Sequence, residues 1–201
     1  CCKASVNKLD TALSNAIAML STTDFLMEFL KPLHTYINDE CSRGSLRYIQ
    51  EKFAKISLRN CLSNLYTKFR SAKDDGPRMI IGSLTSEYEN LDTLMHIVVA
   101  QNIGWDVTYV GSSIPHDEMT FMANKIEART IVVALNNPRD IARKTYEIKT
   151  MKEQADLKDN IVLIGTQASN YRQIADDVKA VISQDLSSFR LTLERLYGLI
   201  R

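Results

Sequence analysis

The chain has 201 residues, of which 45% are hydrophobic and 24% are charged, so it is long enough for one or two folded domains and is not disordered. Its 25 basic and 24 acidic residues give a net charge of +1. The chain therefore lacks the basic excess that is typical of a protein that binds nucleic acid by itself. The sequence has neither an apolar run of membrane-spanning length nor a signal-peptide pattern. Its four cysteines follow neither a CxxC pattern nor a dense disulfide framework, and we therefore expect a reduced, cytoplasmic protein without a membrane partner.

The first part of the chain, residues 1–73, is predicted to form a small helical bundle. Apolar residues recur in its first segment at intervals of three or four, at Val6, Leu9, Leu13, Ile17 and Leu20. A second helix is expected from about residue 25, with Thr23 or Asp24 as its cap and with a late start or a kink at Pro32. Gly44 lies in the segment that ends this helix, and a third apolar stripe runs from residue 46 to residue 69.

Residues 73–77, Lys-Asp-Asp-Gly-Pro, combine charge, glycine and proline and are the expected linker to a second domain at residues 78–201. In this domain, short apolar runs alternate with amphipathic stretches. The runs predict strands at residues 79–84, 106–110, 130–135, 160–164 and 180–182. The stretches predict helices at residues 91–102, 117–127, 140–154, 171–179 and 186–199. This alternation predicts an α/β fold with a doubly wound parallel sheet, which binds ligands at the carboxyl ends of its strands.

Several stretches of the sequence resemble a known family. Residues 102–115, with the sequence NIGWDVTYVGSSIP, are similar to the stretch that leads out of the second strand of cobalamin-binding modules. Residues 30–33, 44–46 and 50–51 resemble the pattern that the helical bundle of these modules carries. The modules occur in methionine synthase, in corrinoid methyltransfer proteins and in MerR-type transcription regulators that sense light or cobalamin, and the regulators fit best. The resemblance implies an N-terminal helical bundle, a flavodoxin-like domain with a five-stranded parallel sheet, and cobalamin as the family cofactor.

The residues that would contact this cofactor depart from the family. The family's lower cobalt ligand is a histidine that follows the first strand, and the resemblance places Glu89 at its position, two residues after Glu87. A carboxylate is a harder donor than imidazole and prefers ions such as magnesium, calcium or manganese. Asp92 takes the place of a glycine, whose lack of a side chain permits the close approach of the bulky ligand tail.

Other positions in the sheet domain are also changed. The resemblance places Ala134 where a serine hydroxyl would contact the nucleotide tail, and it places Gly165 and Thr166 at a pair of glycines. Apart from the resemblance, Glu87 and Glu89 have two interpretations: they are a carboxylate pair for metal or acid–base chemistry, or they are acidic residues placed favourably near a helix start. We expect cobalamin binding to be lost or weakened, with no cofactor and no metal held at the position of Glu89.

Two changed positions lie in the bundle. The resemblance places Cys41 at a tryptophan that shields the upper face of the corrin, and it places Lys52 at a histidine that follows Glu51. Of all the family's cofactor-contacting residues, only Glu51 and the glycine at position 165 are kept. Cys41 itself has two interpretations: a redox-sensing thiol or soft metal ligand, activated by Arg43 and Lys52, or an inert buried cysteine.

The remaining candidates are histidines and core residues. His34, His96 and His116 are possible ligands for haem or another tetrapyrrole, as in haem-sensing relatives of this fold, although none falls on the family's ligand position. His96 is expected on the helix after the first strand and His116 at the start of the next helix. The residues expected in the core are Cys61, Trp105, Met19, Met27, Met95, Met119 and Met122.

Two classes of function follow from the sequence. The first is the effector and oligomerisation region of a MerR-type regulator, which assembles as a dimer or tetramer, responds to an unknown small molecule or protein, and contacts DNA only through a domain outside this chain. The alternative is a true cobalamin-binding corrinoid protein, either a photoreceptor or a methyl carrier, or a haem sensor on the same fold. The chain contains no P-loop, GxGxxG, GxSxG or HExxH motif, and we do not expect an enzyme.

Overall fold

The computed structural model describes residues 2–70, 76–85, 91–136, 140–157 and 161–198. The first of these ranges is helical apart from short turns, which confirms the predicted bundle. Its elements are α1 (Cys2–Met19), the single turn α2 (Thr22–Asp24), a π-helical segment (Phe25–Leu30), α3 (Lys31–Ser42) and α4 (Tyr48–Arg70).

The segment between α1 and α3 differs in one detail from the prediction. Ser21, rather than Thr23 or Asp24, caps the helix, because its Oγ accepts a hydrogen bond from the N–H of Asp24 at 3.2 Å. The helix then changes type just before Pro32: the N–H of Lys31 still bonds to the carbonyl five residues earlier, as in a π-helix. The irregularity expected at Pro32 therefore takes the form of a change from π-helical to α-helical hydrogen bonding.

The described residues from 76 to 198 form a parallel sheet with helices on both faces, as predicted. The strands are β1 (Arg78–Ser83), β2 (Asp106–Gly111), β3 (Thr130–Ala134), β4 (Val162–Ile164) and β5 (Val181–Ser183). The helices are α5 (Leu91–Ile103), α6 (His116–Lys125), α7 (Ile141–Gln154), α8 (Arg172–Val178), which follows a 3-10 turn at Ala168–Tyr171, and α9 (Leu186–Tyr197). In the part of the chain that the structure covers, no helix is both long and apolar enough to cross a membrane.

The strand order places a topological switch point in the middle of the sheet. The order is β2-β1-β3-β4-β5, and β1 pairs in parallel with both β2 and β3. The chain leaves β1 toward one edge of the sheet and leaves β3 toward the other. The loops after these two strands therefore diverge at the carboxyl edge, and such a crevice is where doubly wound sheets bind ligands.

The two faces of the sheet have different partners. α5 and α9 pack on the face that includes Ile81, Val132 and Ile164, and the helical bundle joins the same apolar cluster through α4 and α5. α6, α7 and α8 cover the opposite face. Because the bundle shares a core with the α5/α9 face, burial of apolar surface holds the bundle against the sheet domain.

Most residues expected in the core are buried. Cys61 and Trp105 are buried, and Met95 and Met119 are completely inaccessible. The prediction for Met19 is wrong: 84% of this residue is exposed, because α1 ends there and the side chain extends past the bundle core.

Candidate ligand cleft at the carboxyl edge of the sheet

An ionic contact joins the bundle to the carboxyl edge of the sheet. Asp92 lies in the first turn of α5, directly after the loop that follows β1. Lys31 Nζ donates a hydrogen bond to Asp92 Oδ1 at 2.7 Å, and His34 Nδ1 lies 3.6 Å from the same oxygen. Asn38 Nδ2 in turn lies 3.3 Å from His34 Nε2. We call these four residues the Asp92 bridge; they fix the start of α3 beside the start of α5.

The electrostatics of the Asp92 bridge favour the ionised carboxylate. Burial raises the pKa of Asp92, but the hydrogen bonds and positive charge of His34 and Lys31 outweigh it, so the pKa lies well below its usual range. The N-terminus of α5 adds favourable dipole placement for an acidic side chain. Asp92 is therefore a charged structural residue at the position where the resemblance implies a glycine.

The end of α3 and the start of α4 project past this contact. Between residues 38 and 56 no residue is buried, whereas α4 is buried at Leu58 and Leu62. Cys41 follows His34 by seven residues, so it lies on the same face of α3 and, at 1.5 Å per residue, about 10 Å farther along the helix. We call residues 38–56 the hairpin tip. Because Lys31 and His34 contact the first turn of α5, α3 passes beside the carboxyl edge of the sheet, and the hairpin tip is the exposed continuation of α3 and α4.

A hydrogen-bonded cluster connects the two helices of the hairpin tip. Cys41 Sγ donates to Glu51 Oε2 at 2.9 Å, and Lys55 Nζ donates to Glu51 Oε1 at 2.6 Å. The hydrogen bond to Glu51 raises the pKa of Cys41, and partial burial and the charge of Glu51 raise it further. Of the two interpretations of Cys41, activation by Arg43 and Lys52 is therefore contradicted; Arg43 instead pairs with Glu40 at 3.1 Å.

Lys52, at the position of a family histidine, lies beside the same cluster. Its Nζ is 5.3 Å from the centre of the Tyr48 ring, within the range of a cation–π contact. The structure thus brings Cys41, Glu51 and Lys52 together on the hairpin tip, as their shared role in the resemblance implies. These three side chains are polar, whereas the resemblance implies an aromatic side chain at the position of Cys41.

The loops after β3 and β4 are joined to each other. Leu135 N–H donates to the carbonyl of Ile164 at 2.8 Å, and Thr166 N–H donates to Asn136 Oδ1 at 2.9 Å. Gly165 has a φ of +104°, and a Cβ at this position would lie 2.7 Å from the carbonyl oxygen of Leu135. Glycine is therefore required at position 165 by the contact between these two loops, independently of any ligand.

The space between α5, α9 and the sheet, which we call the α5/α9 wedge, is packed with side chains. The rings of His96 and Phe189 meet edge to face with centroids 4.9 Å apart, and Phe189 is completely inaccessible. His96 Nδ1 donates to the main-chain carbonyl of Asp92 at 2.6 Å. Burial lowers the pKa of His96, so the ring is neutral. Ala134 at the end of β3 belongs to the same apolar cluster.

The other sequence candidates are dispersed. His116 is the first residue of α6, as predicted, and lines a cavity of about 720 Å³ at the carboxyl edge, between the segments that follow β1 and β2 and the first turns of α6 and α7. Glu87 and Glu89 lie outside the described residues, so the interpretation of this pair stays a prediction. In the described ranges, no group of three or more histidine, cysteine or acidic side chains is arranged to hold a metal ion.

Two sets of contacts were not predicted from the sequence. The contact of Lys31 and His34 with Asp92 spans about sixty residues of sequence, and no local pattern announces it. Lys144 and Glu147 form a buried ion pair at 2.9 Å beside the 720 Å³ cavity, and their spacing of three residues on a helix was the available signal.

Comparison with known proteins gives the fold a context. No protein-family model matches the chain, and no curated protein matches it in sequence. The monomethylamine corrinoid protein of Methanosarcina barkeri is similar in structure, with a TM-score of 0.70, 12% identity and coverage of 94% of this chain and 96% of that one. A cobalamin-binding protein from Desulfitobacterium hafniense gives a TM-score of 0.52 at 11% identity, with 97% and 98% covered.

A third similar structure is the methanol:cobalamin methyltransferase complex of Methanosarcina barkeri, with a TM-score of 0.55, 10% identity and coverage of 96% of this chain and 79% of that one. All three comparisons extend over both the bundle and the sheet. The chain therefore has the helical bundle and flavodoxin-like fold of corrinoid proteins.

The Asp92 bridge predicts a pH-dependent contribution to stability. Asp92→Asn is expected to lower the free energy of unfolding by about 1 to 3 kcal/mol at pH 7, because it removes the charged acceptor of the Lys31 ammonium group. A carboxyl group with a depressed folded-state pKa stabilises the fold above its unfolded pKa of about 3.9 and loses that contribution as the pH falls. The difference between variant and wild type in urea unfolding should therefore shrink below about pH 4. Asp177→Asn, at an exposed position of α8, is the control; an equal effect of both substitutions would contradict the assignment.

The Cys41–Glu51 hydrogen bond predicts the reactivity of the thiol. Glu51→Gln is expected to speed alkylation of Cys41 by iodoacetamide at pH 7 by about three- to tenfold, because the thiol pKa falls and the thiolate fraction rises. Mass spectrometry of the peptides separates the cysteines, and Cys61, whose pKa is raised by burial to about 11, is the unreactive reference. Glu194→Gln on α9 should leave the rate unchanged, and an unchanged rate in Glu51→Gln would show that the hydrogen bond does not suppress the thiol.

Proposed function

We propose that this chain is a non-catalytic binding module of the corrinoid-carrier type, which holds a corrinoid in the cleft between the hairpin tip and the carboxyl edge of the sheet. The observation that supports this most strongly is the shared architecture: the likeness to corrinoid proteins includes the bundle as well as the sheet. The carboxyl edge beside the hairpin tip is also where a doubly wound sheet is expected to bind its ligand. A bound corrinoid would supply a cobalt centre able to carry an alkyl group.

The residues present fit this cofactor in part. The hairpin tip offers Cys41, Glu51 and Lys52 to its upper side. A lower ligand from the described residues does not fit, because His34 faces Asp92, His96 is enclosed in the α5/α9 wedge and His116 lies at the start of α6, in the cavity between α6 and α7. We therefore assign this chain no protein ligand to cobalt, and the sequence expectation that cobalamin binding is lost or weakened stays a prediction.

Retention of a corrinoid tests the proposal directly. Purified protein is incubated with methylcobalamin in the dark, desalted, and examined by visible absorption, with about one equivalent per chain expected. Cys41→Arg places a long charged side chain on the face of α3 that extends over the cleft, and it should weaken binding by about tenfold or more.

Tyr36→Arg is the matched control for this substitution. Tyr36 is 60% exposed and follows His34 by two positions, so it lies on the opposite side of α3. This variant should bind within about twofold of wild type. Equal weakening by both variants would place the ligand elsewhere, and loss of all corrin from the wild type on desalting would reject the carrier function.

A second candidate function is the effector and oligomerisation region of a MerR-type regulator, with DNA contacted by a domain outside this chain. The observation that favours it is an exposed apolar face on α4. Ile49, Phe53 and Ile56 are 52%, 40% and 45% exposed and share one side of the helix, opposite the buried Leu58 and Leu62. Exposed apolar patches of this kind mark contacts between proteins, and a regulator of this class works as an oligomer.

Self-association tests this second candidate. The wild-type chain is expected to elute as a dimer or tetramer in gel filtration with light scattering, and Phe53→Glu should shift it toward the monomer because it places a charge in the apolar contact. Phe121→Glu, at a position of α6 that is 64% exposed, is the control. A wild-type chain that is monomeric with and without ligand would remove the support for this function.

A further inference from the structure

We infer that a corrinoid binds this chain with its nucleotide tail outside the sheet domain, because the α5/α9 wedge is filled by the protein's own side chains and the described residues at its mouth are engaged in contacts of their own. This inference rests on the proposed function and concerns how the ligand is held. It departs from the mode that the resemblance implies, in which the tail is buried in the domain.

The implied tail positions surround the mouth of the wedge. Asp92 is in the first turn of α5, Ala134 ends β3 and Gly165 follows β4, so all three lie at the carboxyl edge. Ala134 contributes to the apolar cluster of the face on which α5 and α9 pack. A tail that passed between these three positions would therefore enter the α5/α9 wedge.

Among the described residues, hydrogen bonds hold the positions on both sides of the mouth of the wedge. Asp92 accepts a hydrogen bond from Lys31, and only 21% of its side chain is exposed. Entry of a nucleotide tail there would separate Asp92 from Lys31 and leave a largely buried carboxylate without its cationic partner. On the other side, Asn136 and Thr166 join the two loops by a hydrogen bond of 2.9 Å, with Gly165 in close contact with the loop after β3.

The interior of the wedge has no room for a second ring system. Phe189 is inaccessible and contacts His96 edge to face, while His96 is held by its hydrogen bond to the Asp92 carbonyl. Leu186 and Leu193, one turn before and after Phe189 on α9, are also buried. Protein interiors are close-packed, so a nucleotide base can enter only if these side chains leave the core.

The consequence for binding is that the nucleotide tail contributes little to affinity. Contacts then come from the corrin ring and its short side chains in the cleft. A corrinoid without the nucleotide should bind as well as one that carries it, whereas a protein that buries the tail must lose those contacts when the tail is missing.

The experiment compares methylcobalamin with methylcobinamide, which has the same corrin ring and methyl group but no nucleotide. The full wild-type chain is titrated with each in the dark, by equilibrium dialysis with visible absorption. We expect the two dissociation constants to agree within about tenfold, which is about 1.4 kcal/mol. Methylcobinamide binding weaker by more than about tenfold would overturn the inference while leaving the proposed function in place.

A different outcome would reject both proposals. If neither corrinoid is retained, the proposed function fails and the inference fails with it. Because this comparison varies the ligand and uses the wild-type protein, it does not depend on whether a substitution in the wedge still folds.

Discussion

The contact of Lys31 and His34 with Asp92 determines how the bundle sits on the sheet domain. Apolar burial between α4 and α5 supplies attraction without direction, since hydrophobic contacts tolerate small rotations and slides. The ionic contact supplies direction, because Lys31 and His34 converge on one carboxylate oxygen at the start of α5. The contact with Asp92 therefore sets the position of the hairpin tip relative to the carboxyl edge. The geometry of the proposed cleft therefore depends on this contact.

The same residue lies next to several positions at which the resemblance implies contacts to the cofactor. A side chain at position 92 that is committed to α3 cannot also leave space for a ligand tail. Once the mouth is closed, the wedge behind it becomes ordinary interior, and aromatic packing such as that of His96 with Phe189 stabilises it. The glycine at position 165 persists because the adjoining loops need it.

The sequence was sufficient for the fold and insufficient for the cleft. Apolar runs such as residues 130–135 and helical stripes such as residues 46–69 reflect local periodicity, and each appears in the structure within a few residues of its predicted place. The Asp92 bridge has no such signal, because it joins residues about sixty positions apart and depends on the rotation of α3. Cys41 shows the same limit: neighbouring cations in the sequence suggested a reactive thiol, but the partner that the fold supplies is the carboxylate of Glu51.

The π-helical segment at Phe25–Leu30 has a consequence for the register of α3. Its wider turns contain one residue more than an α-helix would use over the same length. Each residue turns an α-helix by about 100°, so winding the same residues as a regular α-helix would rotate everything after them by about that angle. Lys31 and His34 would then turn away from α5, and the bundle would lose its orientation with every one of its apolar residues still present. The π-helical winding of this segment thus sets the direction in which the whole hairpin faces.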